Sequence, residues 1–377
     1  MKALLLYASA GAGHKRAAEA LAVVFGESGL DTTVQDILDF TPALFRKTYT
    51  EGYLQVVRTL PELWGYMYAR SDRKTREPWE KKIRAGFNKL NTIPFLRSFK
   101  KLDPDIVVCT HFMPLEILTT RLGARKGRAP VFCVVTDFAA HSLWLCSNVA
   151  CYYVATDDAR RQLLRSGQPA DRIKVTGIPV DPSFGRREAQ GTVRKRLGMD
   201  PRLPLALVIS GGFGVGPTAE LLLSFRDSKP TCQIVVVAGR NEEMKREAEA
   251  AARKLPVPVK VLGFVNNVHE LMDAADVIVS KPGGLTSSEV LAKGKPMVIV
   301  DPIPGQEQRN CEYLLEAGAA IRLFDIADAA HRIQTLIADT GRLALLSRNA
   351  RRLGRPAAAS DIVRDISERT RRKVVRA

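Results

Sequence analysis

Short, continuous apolar runs along this chain alternate with stretches in which apolar residues return every third or fourth position. The runs fall at 2–8, 32–37, 105–110, 131–136, 152–155 and 173–175, and again at 205–209, 233–237, 259–262, 277–279 and 297–300. Runs without polar alternation predict strands buried on both faces, as in a parallel sheet covered by helices. Between the first two, Ala18, Leu21, Ala22 and Phe25 recur at helical spacing, which predicts a helix over 15–25. Strand and helix in alternation give an α/β protein, and 377 residues are too many for one core. The pattern therefore predicts two Rossmann-like, doubly wound domains, 1–182 and 205–340. A polar, basic linker at 183–204 separates them, and further helical sequence follows over 341–377.

Glycine and proline gather where the predicted strands end, and chemistry gathers with them. The stretch ADVIVSKPGGLTSSEVLAKGKPMVIVDPIPGQEQRN breaks at Gly283 and Gly284 and resumes as a helix carrying Ser287 and, on its first turn, Glu289. It breaks again before Gln306 and Glu307. Glycines at a helix start admit an anion, a nearby carboxylate accepts from vicinal hydroxyls, and Gln306 and Glu307 suit the hydroxyls of a sugar. Phosphate, ribose and sugar together describe a nucleotide sugar; singly, each residue reads as a turn or a cap. A second glycine loop, with Gly211, Gly212 and Gly214, follows the strand at 205–209. Near the N-terminus, Gly11-Ala12-Gly13-His14 leads into the first helix. It is neither a dinucleotide fingerprint, since Arg16 stands where the third glycine belongs, nor a P-loop. It presents one histidine at a helix start, where the dipole favours the neutral imidazole. His111, Asp137 and His141 lie at or after predicted strand ends, each alternatively a helix cap.

Composition narrows the setting. The net charge of +17 implies an anionic partner. Between residues 46 and 101 fourteen Lys or Arg face five Asp or Glu, and the stretch includes Trp64, Tyr66, Tyr68, Arg70 and Trp79. Cations among Trp and Tyr suit a lipid headgroup layer; they read equally as a solvated face with its rings turned inward. No nucleic-acid-binding signature is present. No apolar run reaches the roughly 20 residues of a membrane span, and residues 2–8 read as a strand, not a targeting segment. Six cysteines without paired spacing predict reduced thiols in a cytoplasmic setting. Asp103-Pro104-Asp105 has the form of a metal-holding pair but precedes its strand, so it reads as a turn and no metal is expected.

The phrases KPGGLTSSEVLAKGKP, PGQEQRN, TDFAAHSLW and the Gly–His opening resemble the inverting GT-B glycosyltransferases of the plant monogalactosyldiacylglycerol synthases and the bacterial processive diacylglycerol glucosyltransferases. The resemblance implies two domains facing across a cleft, with the C-terminal helices crossing back to the first. It implies a UDP-hexose donor, its ribose on Glu289, its hexose on Gln306 and Glu307, and its base near Gly263, Phe264 and Val265. It further implies His14 as general base supported by Asp137, and Gly13, His111 and His141 on the acceptor side. No cofactor is implied. Diacylglycerol is the expected acceptor, met peripherally at an anionic membrane's inner face. The alternatives are N-acetylglucosamine transfer to a polyprenyl-linked acceptor, and a nonenzymatic UDP-sugar sensor.

Overall fold

The computed structural model describes residues 1–9, 11–72, 93–122, 129–211 and 216–375. Two compact units emerge. The first comprises Met1–Pro182 with Pro304–Gln306 and Ala357–Ala377, the second Ser183–Ile303 with Glu307–Pro356. Each is built on a six-stranded, wholly parallel sheet.

In the first unit the strands are β1 (Lys2–Tyr7), β2 (Asp31–Asp36), β3 (Ile106–Cys109), β4 (Val131–Val134), β5 (Cys151–Val154) and β6 (Ile173–Val175). They lie in the order β2-β1-β3-β4-β5-β6. Alternate residues feed two cores. Leu4, Leu6, Val107 and Cys109 face one side; Ala3, Leu5, Ile106 and Val108 face the other, under α1 (Ala12–Glu27) and the last helix, Ala358–Val375. That last helix contributes Ile362, Val363 and Ile366 to this core, and Asp365 accepts from the Tyr153 hydroxyl at 2.8 Å. Two further helices, α2 (Ala43–Thr59) and α3 (Pro61–Ser71), meet at Pro61, whose fixed φ suits a first helical position.

The second unit arranges β7 (Leu205–Ile209), β8 (Gln233–Val237), β9 (Val259–Leu262), β10 (Val277–Ser280), β11 (Met297–Ile299) and β12 (Ala320–Arg322) as β12-β11-β10-β7-β8-β9. Both units are doubly wound, as the pattern predicts, but their strand orders differ. Counted within each unit, the second has the order of dinucleotide-binding domains and the first that of flavodoxin.

Three sequence expectations are corrected. Residues 183–204 are no linker. They form part of the second unit, with a helix Gln190–Arg196 in which Val193 and Arg194 are buried. Basic composition misleads here because one of its cations, Arg194, is buried on partners, while Arg186, Arg187, Lys195 and Arg196 stay exposed. Arg194 donates to Asp276 at 2.5 Å and to the Ala274 carbonyl at 2.9 Å, while buried Lys293 bonds Asp273 at 2.7 Å and also the Arg186 carbonyl. The C-terminal helices divide: Thr340–Leu353 stays with the second unit and only Ala358–Val375 joins the first. The helix expected from Ser287 begins at Gly284, which puts Glu289 in its second turn.

The Asp273–Lys293 pair gives a stability test, since both side chains are almost wholly buried. Asp273→Ala leaves the ammonium uncompensated and should destabilise the second unit by about 3 kcal/mol or more. Asp273→Leu with Lys293→Met should recover most of that loss in denaturant titrations. A double variant no more stable than the single one would show that packing cannot replace the pair.

Candidate functional site

In a doubly wound sheet the crevice opens at the carboxyl ends of the strands where the order reverses direction. In the first unit that point lies between β1 and β3. β1 feeds α1, whose third residue is His14, and β3 runs directly into Thr110 and His111. Two residues beyond β4 stand Thr136 and Asp137. Topology alone thus brings together segments about a hundred residues apart.

The His14 ring is held by backbone and hydroxyl groups. Its Nδ1 lies 2.9 Å from the Thr110 carbonyl oxygen and 2.8 Å from Thr136 Oγ1, and the Thr110 hydroxyl donates to the His14 carbonyl at 2.9 Å. A carbonyl only accepts, so this network places the proton on Nδ1 and leaves Nε2 with its lone pair. Burial pushes the imidazole down from its ordinary 6.5 to about 4, opposed by the Thr110 bond. The direction matches the sequence expectation, but desolvation is the leading cause. The Thr110 carbonyl and the Thr136 hydroxyl hold this ring at Nδ1; Asp137, expected to orient or charge-stabilise it, lines the same cavity. Thr136 was missed although it immediately precedes the residue singled out, since a threonine closing an apolar run carries no signal of its own.

His111 stands edge-on to His14, ring centroids 4.6 Å apart, and its Nδ1 accepts from the Met113 amide at 3.0 Å. His141 is buried: Nδ1 accepts from the Leu143 amide at 3.1 Å, and Nε2 lies 3.1 Å from the Tyr68 carbonyl. Both histidines therefore act as caps. His141 does more, because with Asp72, which accepts from the Ser142 amide at 2.8 Å, it latches the end of α3 to the turn Ser142–Trp144.

These groups share one cavity of about 660 Å³ in the first unit. His14, His111, Asp137 and His141 line it, joined by Gln306 from the turn that groups with this unit. Gly13 lies beside His14 in the first turn of α1. Two residues expected to dock on lipid are turned inward: Trp64 lines the cavity, and Tyr68 is buried with its ring 4.2 Å from His141. Tyr66 and Arg70, on the opposite side of α3, are exposed. Helical spacing explains the division, since residues 64 and 68 share a face that 66 and 70 do not. Trp79 lies outside the described residues.

The second unit reverses direction between β7 and β10, and the loops after those strands carry the two glycine motifs. Gly211 has φ +73°, a left-handed turn that itself calls for glycine. Gly283 differs: its φ is −61°, and an added Cβ would meet only Glu307 Oε1, at 3.7 Å. Nothing in the described fold demands glycine there. Gly284 opens the helix, and one turn on, Ser287 is fully buried with an Oγ that has no hydrogen-bond partner among the described residues. Glu289 is buried. Glu307 spends one carboxylate oxygen on the Ile303 amide at 2.9 Å, and Asn310, which sequence reading passed over within the PGQEQRN motif, ties the Pro282 carbonyl at 3.0 Å. Gly263, Phe264 and Val265 follow β9 at the sheet edge, where exposed Phe264 lies under the Arg240 guanidinium at 4.7 Å. His269 is half-buried against Phe184. Gly212 and Gly214 fall outside the described residues.

Comparison with known proteins agrees with this two-unit arrangement. The family model "Monogalactosyldiacylglycerol (MGDG) synthase" matches residues 14–180, and "Glycosyl transferases group 1" matches 218–353. A processive diacylglycerol beta-glucosyltransferase of Bacillus cereus is 32% identical over 373 residues, covering 96% of this chain and 92% of its own. Its counterpart in Bacillus thuringiensis is 32% identical over 378 residues, covering 97% and 93%. Among solved structures, MurG of Acinetobacter baumannii superposes with TM-score 0.62 at 16% identity, over 97% of this chain and 99% of its own. A UDP-GlcNAc 2-epimerase of Neisseria meningitidis gives 0.59 at 14% identity, over 98% and 100%. At such identities the structures share the fold.

The ring of His14 supplies the test. Titrated by NMR in the full chain, it should protonate near pH 4 from an Nδ1–H tautomer. Because the folded value lies below the unfolded 6.5, the unfolded chain binds the extra proton, and stability should fall as pH drops from 6.5 towards 4. A midpoint at or above 6.5 would remove the burial argument.

Proposed function

Because the chain belongs to the glycosyltransferase family of the monogalactosyldiacylglycerol synthases and processive diacylglycerol glucosyltransferases, we propose that it transfers a hexose from a UDP-sugar to the hydroxyl of diacylglycerol, with inversion at the anomeric carbon. The observation that carries this reading is the pairing of a neutral base with an apolar cavity. The Nδ1 of His14 is committed to Thr110, so Nε2 accepts the acceptor's proton as its oxygen attacks the anomeric carbon and the bond to UDP breaks. One base and one displacement invert the centre. Asp137, lining the same cavity, adds negative charge that favours the imidazolium as it forms. A polyprenyl-linked sugar would present hydroxyls where this cavity presents Phe45, Phe112 and Trp144, which favours the glycerolipid.

The donor is assigned to the second unit. Gly283 leaves room for close approach, the helix start at Gly284 and the Ser287 hydroxyl offer donors to the diphosphate, and Glu289 takes the ribose. Glu307 takes hexose hydroxyls. Leaving-group charge is met by these dipoles, and the reading calls for no metal. The Asp-x-Asp pair is spent on a turn, in which Asp103 has φ +41° and Asp105 accepts from the Lys2 amide at 2.7 Å.

A lipid acceptor requires a membrane surface, and the first unit has one to offer. Of the eleven large apolar side chains exposed among the described residues, six lie between 44 and 93, including Leu60, Leu63, Tyr66 and Met67 on or beside α3. Exposed Arg46, Lys47, Arg70, Arg97, Lys100 and Lys101 flank them. No described helix is long and apolar enough to cross a membrane. Apolar tips among cations fit peripheral docking on the anionic cytoplasmic face.

Incubation with diacylglycerol vesicles and labelled UDP-hexoses should yield a hexosyl lipid of inverted configuration; a free hexose product alone would sink the reading. His14→Ala should lower transfer by about 10²- to 10⁴-fold with UDP affinity unchanged. Thr136→Val should lower kcat about tenfold and Thr136→Ser restore it, and equal activity in both would leave Thr136 no part in holding the base. The acid limb of kcat/KM should fall well below pH 6.5, near 4.

A further inference from the structure

The cavity in the first unit is a large void beside a small chemical task. His14 and Asp137 suffice to handle one hydroxyl, yet about 660 Å³ opens next to them, walled by Phe45, Tyr49, Phe112, Leu143 and Trp144. Leu44 lines this cavity and is also 78% exposed, so the opening lies on α2, beside the apolar tips of α3. A methylene is about as large as a water molecule, whose share of the liquid is ~30 Å³, so the space takes roughly 20 groups of that size. That is about the size of one long acyl chain with its glycerol.

We infer that the cavity seats a single acyl chain of the acceptor, drawn from the bilayer past Leu44, while the second chain stays in the membrane. The inference rests on the reading of diacylglycerol as acceptor and adds how the lipid is held. An acyl chain gains little on moving from lipid to an apolar protein wall, because both surroundings are hydrocarbon-like. The cavity therefore contributes position more than affinity. A chain seated against Leu143 and Trp144 fixes the glycerol end near Nε2 of His14, converting an encounter in a fluid layer into an oriented approach. The latch between α3 and the Ser142–Trp144 turn serves the same end. His141 and Asp72 tie the wall carrying Leu143 to the helix that bears the membrane-facing tips.

Two measurements on the full-length protein test this. In mixed micelles, monooleoylglycerol, with one chain, should be used by the wild type with kcat/KM within about threefold of dioleoylglycerol; a deficit of tenfold or more would mean that both chains are gripped, and would overturn the inference. Leu143→Trp fills part of the cavity and should lower transfer to dioleoylglycerol about tenfold more than transfer to dioctanoylglycerol, whose shorter chain leaves room in the cavity for the larger ring. UDP affinity and the melting temperature report that the variant is folded. Equal losses on both acceptors, with UDP binding intact, would reject the single-chain seat while leaving transfer to diacylglycerol standing. Failure of the wild type to glycosylate any glycerolipid is a different result, and would remove the acceptor assignment together with the inference.

Discussion

A parallel sheet covered on both faces leaves the chain only one place for polar chemistry, the ends of its strands. Both sheets obey this constraint. Between Lys2 and Tyr7 or between Leu205 and Ile209 every interior side chain serves a core, and polarity returns at Ser9, Thr110, Thr136, Ser210 and Lys281. Strand order then decides which ends meet. In the first unit β3 crosses back to lie beside β1, which is why His14 finds Thr110 almost a hundred residues away. In the second, β10 returns beside β7 and puts Pro282–Gly284 next to Gly211. Each unit thus has one crevice.

Keeping a neutral histidine in the first crevice has a cost. The histidine is desolvated, which favours its neutral form at the expense of stability under mildly acid conditions. His111 and Trp144 pack beside it, with ring centroids 4.6 and 6.4 Å from that of His14. Two neutral partners at Nδ1, the Thr110 carbonyl and the Thr136 hydroxyl, keep the ring in one tautomer, and the Thr110 hydroxyl ties the His14 backbone carbonyl.

Sequence pattern made the two doubly wound units legible, because buried parallel strands read as unbroken apolar runs. It left strand order unread, since order is a property of crossovers and not of any local run. The residues it misjudged share one cause: composition does not say which way a side chain points. Trp64 and Tyr68 look like Tyr66 and Arg70 in a basic, aromatic stretch, yet they belong to the opposite face of α3. The cations of 186–196 look like those of a solvated linker, yet Arg194 is buried on Asp276. The groups that hold the His14 ring at Nδ1, a backbone carbonyl and a threonine hydroxyl, are types too common in any sequence to stand out.

What a fold does not need is informative about what it is for. In the second unit the left-handed Gly211 explains itself, whereas Gly283, with an ordinary backbone and open space beyond its Cα, does not. A fully buried hydroxyl without a partner among the described residues, as at Ser287, costs about 1–3 kcal/mol relative to a satisfied one. Alanine there would be cheaper for the unit alone. Both departures fall on the first turns of one helix, at the reversal point of the sheet, where backbone N–H groups lack intrahelical partners. A ligand that brings its own acceptor oxygens resolves all three together: it occupies the space a side chain would have filled, receives the hydroxyl, and takes the free amides. A diphosphate, as in the proposed donor, has the charge and the oxygens to do so.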